Sequence, residues 1–355
     1  MGTWAHVLGR AAILLIGVLL SAGPVHAQRS PFNGLEVLPA DSSGHYRILI
    51  GGHFHGESTN RSGYPAATLL ANLDTINSLG AHLFLSTGDL FMDPVKDLPR
   101  YQRALFSKLK MPFFNAPGNH DLSASAGKEA DELKEIVTWQ ADRVLLLNTE
   151  REDGTISSDV LDRLASLLEA EDLFIPRHLF IISHRPIWAE DDPLYSDLFK
   201  ENTRSTFGTN FRKDVYPLLE KIAQHAHVYW ISGSLGGSAP SSIFFQPHAP
   251  DNLSRNGGIT FIQCAIRDEP RDALLIADVY PDTVKWSALS LTGQQLQAPE
   301  TYDAAWWRSK RGKGEGFNWR LLPYRVKSTV LHRAFWWGAG LMLLLVVLVR
   351  RIVRR

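Results

Sequence analysis

Ala116-Pro117-Gly118-Asn119-His120-Asp121 packs an amide, an imidazole and a carboxylate into a Gly-Pro turn just after the short apolar strand pattern Phe113 to Asn115. Turn geometry explains the proline and the glycine, but nothing in it requires histidine. Metal chemistry does use this set, a carbonyl oxygen ligand beside a proton donor.

Working outward, three more polar groups each follow an apolar strand pattern. Gly51-Gly52-His53-Phe54-His55-Gly56 follows Tyr46 to Ile50; on extended chain, imidazoles two residues apart point to one side. Ser86-Thr87-Gly88-Asp89 follows His82 to Leu85 and holds a carboxylate after a glycine that lets backbone approach closely. Ile182-Ser183-His184-Arg185-Pro186 sets a histidine at the end of the apolar run from Leu179. Each of these, taken singly, is an ordinary loop residue or cap.

Their placement changes the reading. Helical periods at Ala66 to Leu79, Leu98 to Leu109, Val160 to Ala170 and Val215 to Ala223 alternate with the strand patterns. Arg143 to Leu147 and Val228 to Ile231 add two further strands, so the first half has a βαβ rhythm. The carboxyl ends of strands in an open α/β sheet gather at one crevice, where these four loops should converge. The donor set is nitrogen and hard oxygen, suited to Mn, Zn, Fe or Mg. After Gly237 the helical period stops. Ser242 to Gln246, Gly258 to Ile266, Ala273 to Tyr280 and Val284 to Leu291 read as consecutive strands, which suggests a second sheet packed on the first. Asp191 to Arg212 reads as a polar surface insertion that could shape access to a site.

With these motifs the chain resembles the calcineurin-like metallophosphoesterases over about residues 45 to 292. In that family successive strand ends carry D-x-H, G-D, G-N-H-D/E, a single H and G-H-x-H. Here Gly88-Asp89, Gly118-Asn119-His120-Asp121 and His184 match in order. The resemblance implies an αββα sandwich of two packed sheets and two divalent metal ions bridged by Asp89. It implies a phosphate-ester substrate attacked by a metal-activated water, with His120 as proton donor and Asp121 orienting its ring. One metal would take His53, His55 and Asp89; the other would take Asp89, Asn119 and His184. There are two departures. His53 stands where the family has an aspartate, and after Ile231-Ser232 the chain reads Gly233-Ser234-Leu235-Gly236, without either histidine of the last motif. His248 is a possible substitute, whereas His225 and His227 precede their strand and belong to the opposite rim. Arg185 is a candidate phosphate clamp from its charge and place. The departures leave a rival reading: a catalytically weak or inactive binding or scaffold protein on a retained fold.

The ends place this body. Residues 1–27 carry Arg10, an apolar run from Ala11 to Leu20 and the small-residue ending Val25-His26-Ala27, the pattern of a cleaved secretory signal. Ala334 to Val349 holds no charged residue and is followed by Arg350, Arg351, Arg354 and Arg355. At about 1.5 Å per residue it spans roughly 24 Å, a short transmembrane helix whose flanking residues would have to snorkel. The expected organisation is signal peptide (1–27), catalytic domain (28–300), basic and aromatic juxtamembrane segment (301–333), membrane helix (334–349) and cytoplasmic Arg tail (350–355). Basic residues flank the helix on both sides, so orientation follows from the signal peptide: the domain lies outside the cytoplasm, as on a bacterial cytoplasmic membrane. Trp306, Trp307, Phe317, Trp319 and Tyr324, mixed with Arg308, Lys310, Arg311 and Lys313, suit contact with anionic lipid headgroups.

Composition narrows the rest. The chain has 355 residues, with 37 basic and 37 acidic side chains and one cysteine. A disulfide framework and a Cys-based zinc module are excluded, and Cys264 in its apolar run is a core residue. Zero net charge removes the global reason to bind nucleic acid, which needs a clustered cationic excess.

Overall fold

The computed structural model describes residues 28–57, 60–122, 133–137, 142–150, 154–169, 176–190, 192–199, 209–233, 242–248, 258–267, 270–310, 322, 326, 330 and 333–353. Residues 1–27, expected as a signal peptide, Ser234, Gly236 and the last two arginines lie outside this set.

The described elements are, in order, β1 (Tyr46–Gly51), α1 (Ala67–Ala71), α2 (Leu73–Ser78), β2 (Leu83–Ser86), α3 (Pro94–Ala104), β3 (Phe113–Asn115), β4 (Leu133–Val137), β5 (Arg143–Leu147), α4 (Ser158–Glu169), β6 (His178–Ser183), α5 (Ile187–Glu190), α6 (Ser196–Phe199), α7 (Tyr216–Ile222), β7 (His227–Ser232), β8 (Ser242–His248), β9 (Gly258–Ala265), β10 (Ala273–Tyr280), β11 (Thr283–Ser290), α8 (Ala304–Lys310) and α9 (Arg333–Val353). They build two sheets, ordered β11-β10-β1-β2-β3 and β4-β5-β6-β7-β9-β8. Alternate residues of the inner strands enter different cores. Ile48, Ile50, Phe180 and Ile182 fill the space between the sheets. Leu49 packs under the helices of the first sheet, and Leu179 and Ile181 under those of the second. Strands covered on both faces carry near-continuous apolar runs, as Ile48 to Ile50 and Leu179 to Ile182 do. The result is the expected αββα sandwich.

Local chemistry moves several boundaries. Helix α3 starts four residues before the expected Leu98, because Asp93 accepts a hydrogen bond from the Lys96 amide and Pro94 fills the first helical position. The expected helix from Ala66 to Leu79 breaks at Asn72, whose side chain donates to the Thr68 and Leu291 carbonyls. The four final strands do not form a sheet of their own: β8 and β9 join the second sheet, β10 and β11 the first. Strand β4, which sequence periodicity missed, pairs antiparallel with β5 as an edge.

The body also continues past the expected boundary at 300. The Trp307 indole donates to the Ile243 carbonyl (3.0 Å), Arg271 lies over the Trp306 and Trp307 rings, and Arg308 pairs with Asp197. These contacts pin to the protein two aromatic residues expected against lipid. The bond to Ile243, with that from the Ala304 amide to Gln246 Oε1, puts α8 alongside β8. Ala334–Val353 is long and apolar enough to cross a membrane, and its side chains are exposed. Its 20 residues measure about 30 Å, more than the stretch free of charged residues allowed.

Candidate metal centre

Parallel pairing of β1, β2 and β3, and of β5, β6, β7 and β9, turns their carboxyl ends to a common rim. There Gly233 N donates to the His184 carbonyl and Ile266 N to the Gly52 carbonyl. Three of the four motifs meet around one atom, and the fourth reaches the other oxygen of the same carboxylate, where the His120 amide donates to Asp89 Oδ1. Asp89 Oδ2 lies 3.5 Å from His53 Nε2, 3.7 Å from His55 Nε2 and 3.4 Å from His184 Nε2. Asp89, His53, His55 and His184 are all buried.

Close packing of backbone makes the convergence possible. Gly88 has φ +94°, and a Cβ there would fall 2.6 Å from His184 Nδ1 and 2.9 Å from the Ala116 carbonyl. A Cβ at Gly118 would fall 2.3 Å from Asp89 Oδ1. His53 and Asp89 themselves adopt the left-handed region, at φ 54° and 55°. Such conformations cost non-glycine residues about 1–3 kcal/mol each and persist only where surroundings over-determine them. Here the His53 amide donates to the Gly88 carbonyl and the Asp89 amide to Asp121 Oδ2, both at 2.9 Å. His53 and His55 therefore reach the same carboxylate through a turn, not through the pleat of an extended strand.

Burial opposes charge on every group, and the balance differs. Burial holds the His53 imidazole well below its ordinary pKa despite Asp89. His184, equally buried, is carried above its ordinary value by Asp89, Glu150 and the Thr87 carbonyl. Asp89 is held below the ordinary carboxylate range because His184, His55 and His53 outweigh its burial. Asp121 is raised by burial and by the Asp89 charge.

A metal fits this donor set. His53 Nε2, His184 Nε2 and both ring nitrogens of His55 are buried without a hydrogen-bond partner, an arrangement costly for polar atoms unless something else satisfies them. Two groups of potential ligands share the carboxylate: His53, Asp89 and His184, and His55, Asp89 and His120, with the ligand atoms of each within 4.8 Å of one another. The His53 and His55 rings, which the resemblance joins on one ion, lie 4.9 Å apart between centroids and both face Asp89 Oδ2. Asn119 lies half-buried in the turn beside His120, whose amide donates to Asp89 Oδ1 (3.0 Å).

Three further expectations need correction. Asp121 does not orient the His120 ring. Its Oδ2 accepts from the amides of Asp89 and Gly118 and from Asn115 Nδ2, and its Oδ1 accepts from Leu90 and, at 3.4 Å, Phe91. It is the knot joining the β2 and β3 loops. Arg185, the candidate phosphate clamp, is buried and its fork pairs with Glu190 through Nε–Oε1 (3.1 Å) and Nη2–Oε2 (2.7 Å). His248 cannot replace the lost histidines. Strand β8 runs antiparallel to β9, so its last residue sits opposite Ile259, at the rim of His227, and there bonds Tyr216 Oη (2.8 Å). His227 pairs with His178 at that same distant rim, as expected.

Sequence reading also passed over Asn115, Thr87 and Glu150. Each follows or closes a strand on the site rim, the same positional signal that singled out the others; Thr87 and Asn115 lie in or beside quoted motifs, but Thr87 acts through its backbone carbonyl and Asn115 through a bond to Asp121, contacts that residue type does not announce.

Two packed sheets with a buried carboxylate ringed by imidazoles at their shared rim define a class of α/β proteins built to hold divalent ions. The profile of calcineurin-like phosphoesterases matches residues 46–247, and the chain belongs to that family. No curated protein sequence matches the chain. Among solved structures it is similar to a dimetal phosphatase from Danio rerio, at 14% identity, covering 69% of this chain and 96% of that one with a TM-score of 0.46. It is also similar to GAP50, the anchor in the inner membrane complex of Plasmodium, at 12% identity, covering 72% and 87% with a TM-score of 0.45.

Proposed function

We propose that the chain is an exported, membrane-tethered, metal-dependent phosphoesterase that hydrolyses a phosphomonoester or phosphodiester outside the cytoplasm. The observation that carries this reading is the set of partnerless imidazole nitrogens arrayed 3.4–3.7 Å from one carboxylate oxygen. When bound, divalent ions there polarise a phosphoryl oxygen and acidify a water molecule. The ions are Mn, Zn, Fe or Mg, held by His53, His55, Asp89, Asn119 and His184. The chain contributes rigidity: Asp121 fixes the backbone that carries Asp89, and the Thr87 carbonyl fixes His184. His120, half-buried, stands where the buried cluster meets solvent, the side from which a phosphate ester enters.

The apolar N-terminal segment and helix α9 support export and tethering. Tyr302 accepts from the Phe245 amide and Trp307 donates to the Ile243 carbonyl, so the chain climbs along β8 toward Ser242, at the rim that carries Asp89. That path favours a site turned toward the bilayer.

The test is hydrolysis of nitrophenyl phosphate and bis-nitrophenyl phosphate by the metal-stripped chain with Mn, Zn or Mg restored. Metal-dependent turnover that Asp89→Asn lowers at least about 100-fold is expected. Absence of metal-dependent turnover on both esters would leave the binding or scaffold reading in its place. Alkali extraction of membranes and a reporter fused to the C-terminus test tethering and a cytoplasmic tail.

A further inference from the structure

We propose that the rim carrying Asp89 is pressed toward the bilayer and that the phosphate ester cleaved there is borne by a membrane lipid. The inference rests on the proposed function, a tethered phosphoesterase, and adds its substrate class.

The first ground is where the body hands the chain to its anchor. Ser242 pairs with Ala265, and Gln263 with Ser232, so the start of β8 lies level with the carboxyl end of β7, on the site rim. Helix α8 leaves the body there. Trp307 bonds the carbonyl of Ile243, one residue along β8. Arg308 pairs with Asp197 in α6, beyond His184, and Arg271, in the β9–β10 connection, lies over the Trp306 and Trp307 rings. All these partners belong to the site side of the sandwich. The opposite rim, marked by the β10–β11 turn beside Arg177, is the eight residues of β10 away, roughly 25 Å.

The second ground is apolar exposure. Among the described residues of the body, Leu35, Leu38, Val95, Leu98 and Leu194 are the exposed large apolar side chains. Leu35 and Leu38 belong to the N-terminal segment. The other three stand near the site. Val95 and Leu98 lie in the first turns of α3, entered through Leu90 and Phe91, whose amides bond Asp121. Leu194 follows α5, just past His184, and its carbonyl accepts from Arg308. Single exposed leucines need no explanation, but three around one opening, on the side where the anchor leaves, suit the boundary of headgroup and acyl chain.

The third ground is the approach to α9. Leu322, Val326 and Val330 recur every fourth residue in helical conformation, all exposed, and Arg320, Arg325 and Lys327 stand among them in sequence. An apolar stripe set among basic residues lies in the plane of an anionic interface. A site opening onto that plane meets phosphate esters as headgroups. Water oxygen bonds to phosphorus, the ester P–O bond breaks, and a proton from the water ends on the departing oxygen.

The test uses the full chain with Mn²⁺ supplied, in phosphatidylcholine vesicles containing phosphatidate, a monoester, or phosphatidylglycerol, a diester. Glycerol 3-phosphate and glycerophosphoglycerol are the soluble counterparts. At least one lipid should be hydrolysed about 100-fold faster than its counterpart at equal bulk concentration, the gain that confinement to one surface supplies. That gain should vanish when the lipid sits in vesicles without the chain. Val95→Glu, Leu98→Glu and Leu194→Glu together should lower lipid turnover at least about tenfold and leave nitrophenyl phosphate turnover within about twofold. Orientation is read without catalysis. Because Cys264 is buried, a fluorophore on Leu194→Cys or Asp282→Cys is unique; nitroxide headgroups should quench the first and spare the second, in the β10–β11 turn. Nitrophenyl turnover with neither lipid cleaved, soluble counterparts cleaved as fast as lipid, or stronger quenching at position 282 would each overturn the inference. Loss of all turnover, nitrophenyl esters included, would instead sink the phosphoesterase reading and this one with it.

Discussion

Asp121→Asn separates a structural from a catalytic carboxylate. Oδ2 accepts three hydrogen bonds at 2.9 Å, from Asp89 N, Gly118 N and Asn115 Nδ2; Oδ1 accepts one at 2.8 Å from Leu90 N and a long one from Phe91 N. An amide of the same shape offers one acceptor oxygen. Turned to keep the three bonds, it sets its NH₂ against the Leu90 and Phe91 amides. The Leu90 bond, worth about 1.5–3 kcal/mol to a charged acceptor, is lost. The remaining three lose charge assistance, which is about half the strength of such bonds. Relief of repulsion with Asp89, the second reason the Asp121 carboxyl is raised, opposes this. The net expectation is a loss of about 2–4 kcal/mol. For a body of this size that corresponds to a fall of roughly 4–15 °C in the unfolding midpoint. The assay is thermal unfolding in chelator, beside His120→Ala as a control that should move the midpoint little. If Asp121 acted by orienting His120, the two variants would behave alike in chelator. A midpoint for Asp121→Asn within 1 °C of the parent would refute the argument.

Three other outcomes follow from the packing. Gly88→Ala should destabilise by more than about 2 kcal/mol and abolish Mn²⁺ binding, because its Cβ meets His184 and the Ala116 carbonyl at a positive φ; a urea midpoint equal to the parent's would contradict that packing. Burial pushes the Cys264 thiol up to about 12. Iodoacetamide at pH 8 should therefore leave the native chain unlabelled and modify one site after denaturation. Asp278 receives Arg47 through Nε (2.8 Å) and Nη2 (3.0 Å), and Arg47 and His45 outweigh partial burial to hold its carboxyl below the usual range. A lowered carboxyl contributes stability that is full above its unfolded value and is lost as pH falls through the folded one. Asp278→Asn should thus cost about 1 kcal/mol at pH 7 and progressively less toward pH 2, read from urea midpoints at each pH; a cost independent of pH would show the charge to be irrelevant.

The strand-end motifs were legible because parallel strands share a direction, so any residue just past a carboxyl end must reach the same rim. Asp89, His53, His55, His120 and His184 were found on that ground and do converge. The antiparallel strands escaped it. Periodicity reports that Ser242–His248 is a strand but not which way its neighbour runs, and direction alone sends His248 to the far rim. The same blindness made the last four strands look like one sheet.

The amino-acid sequence by itself determined which donor side chains stand just past strand ends, since residue type and place after a strand are properties of the chain order. Only the tertiary structure decided their contacts: His53, His55 and His184 around Asp89 Oδ2, Asp121 to the amides and Arg185 to Glu190. Those partnerships depend on side-chain reach across two sheets and on loops forced into left-handed backbone. Both are fixed by contacts between residues far apart in the chain.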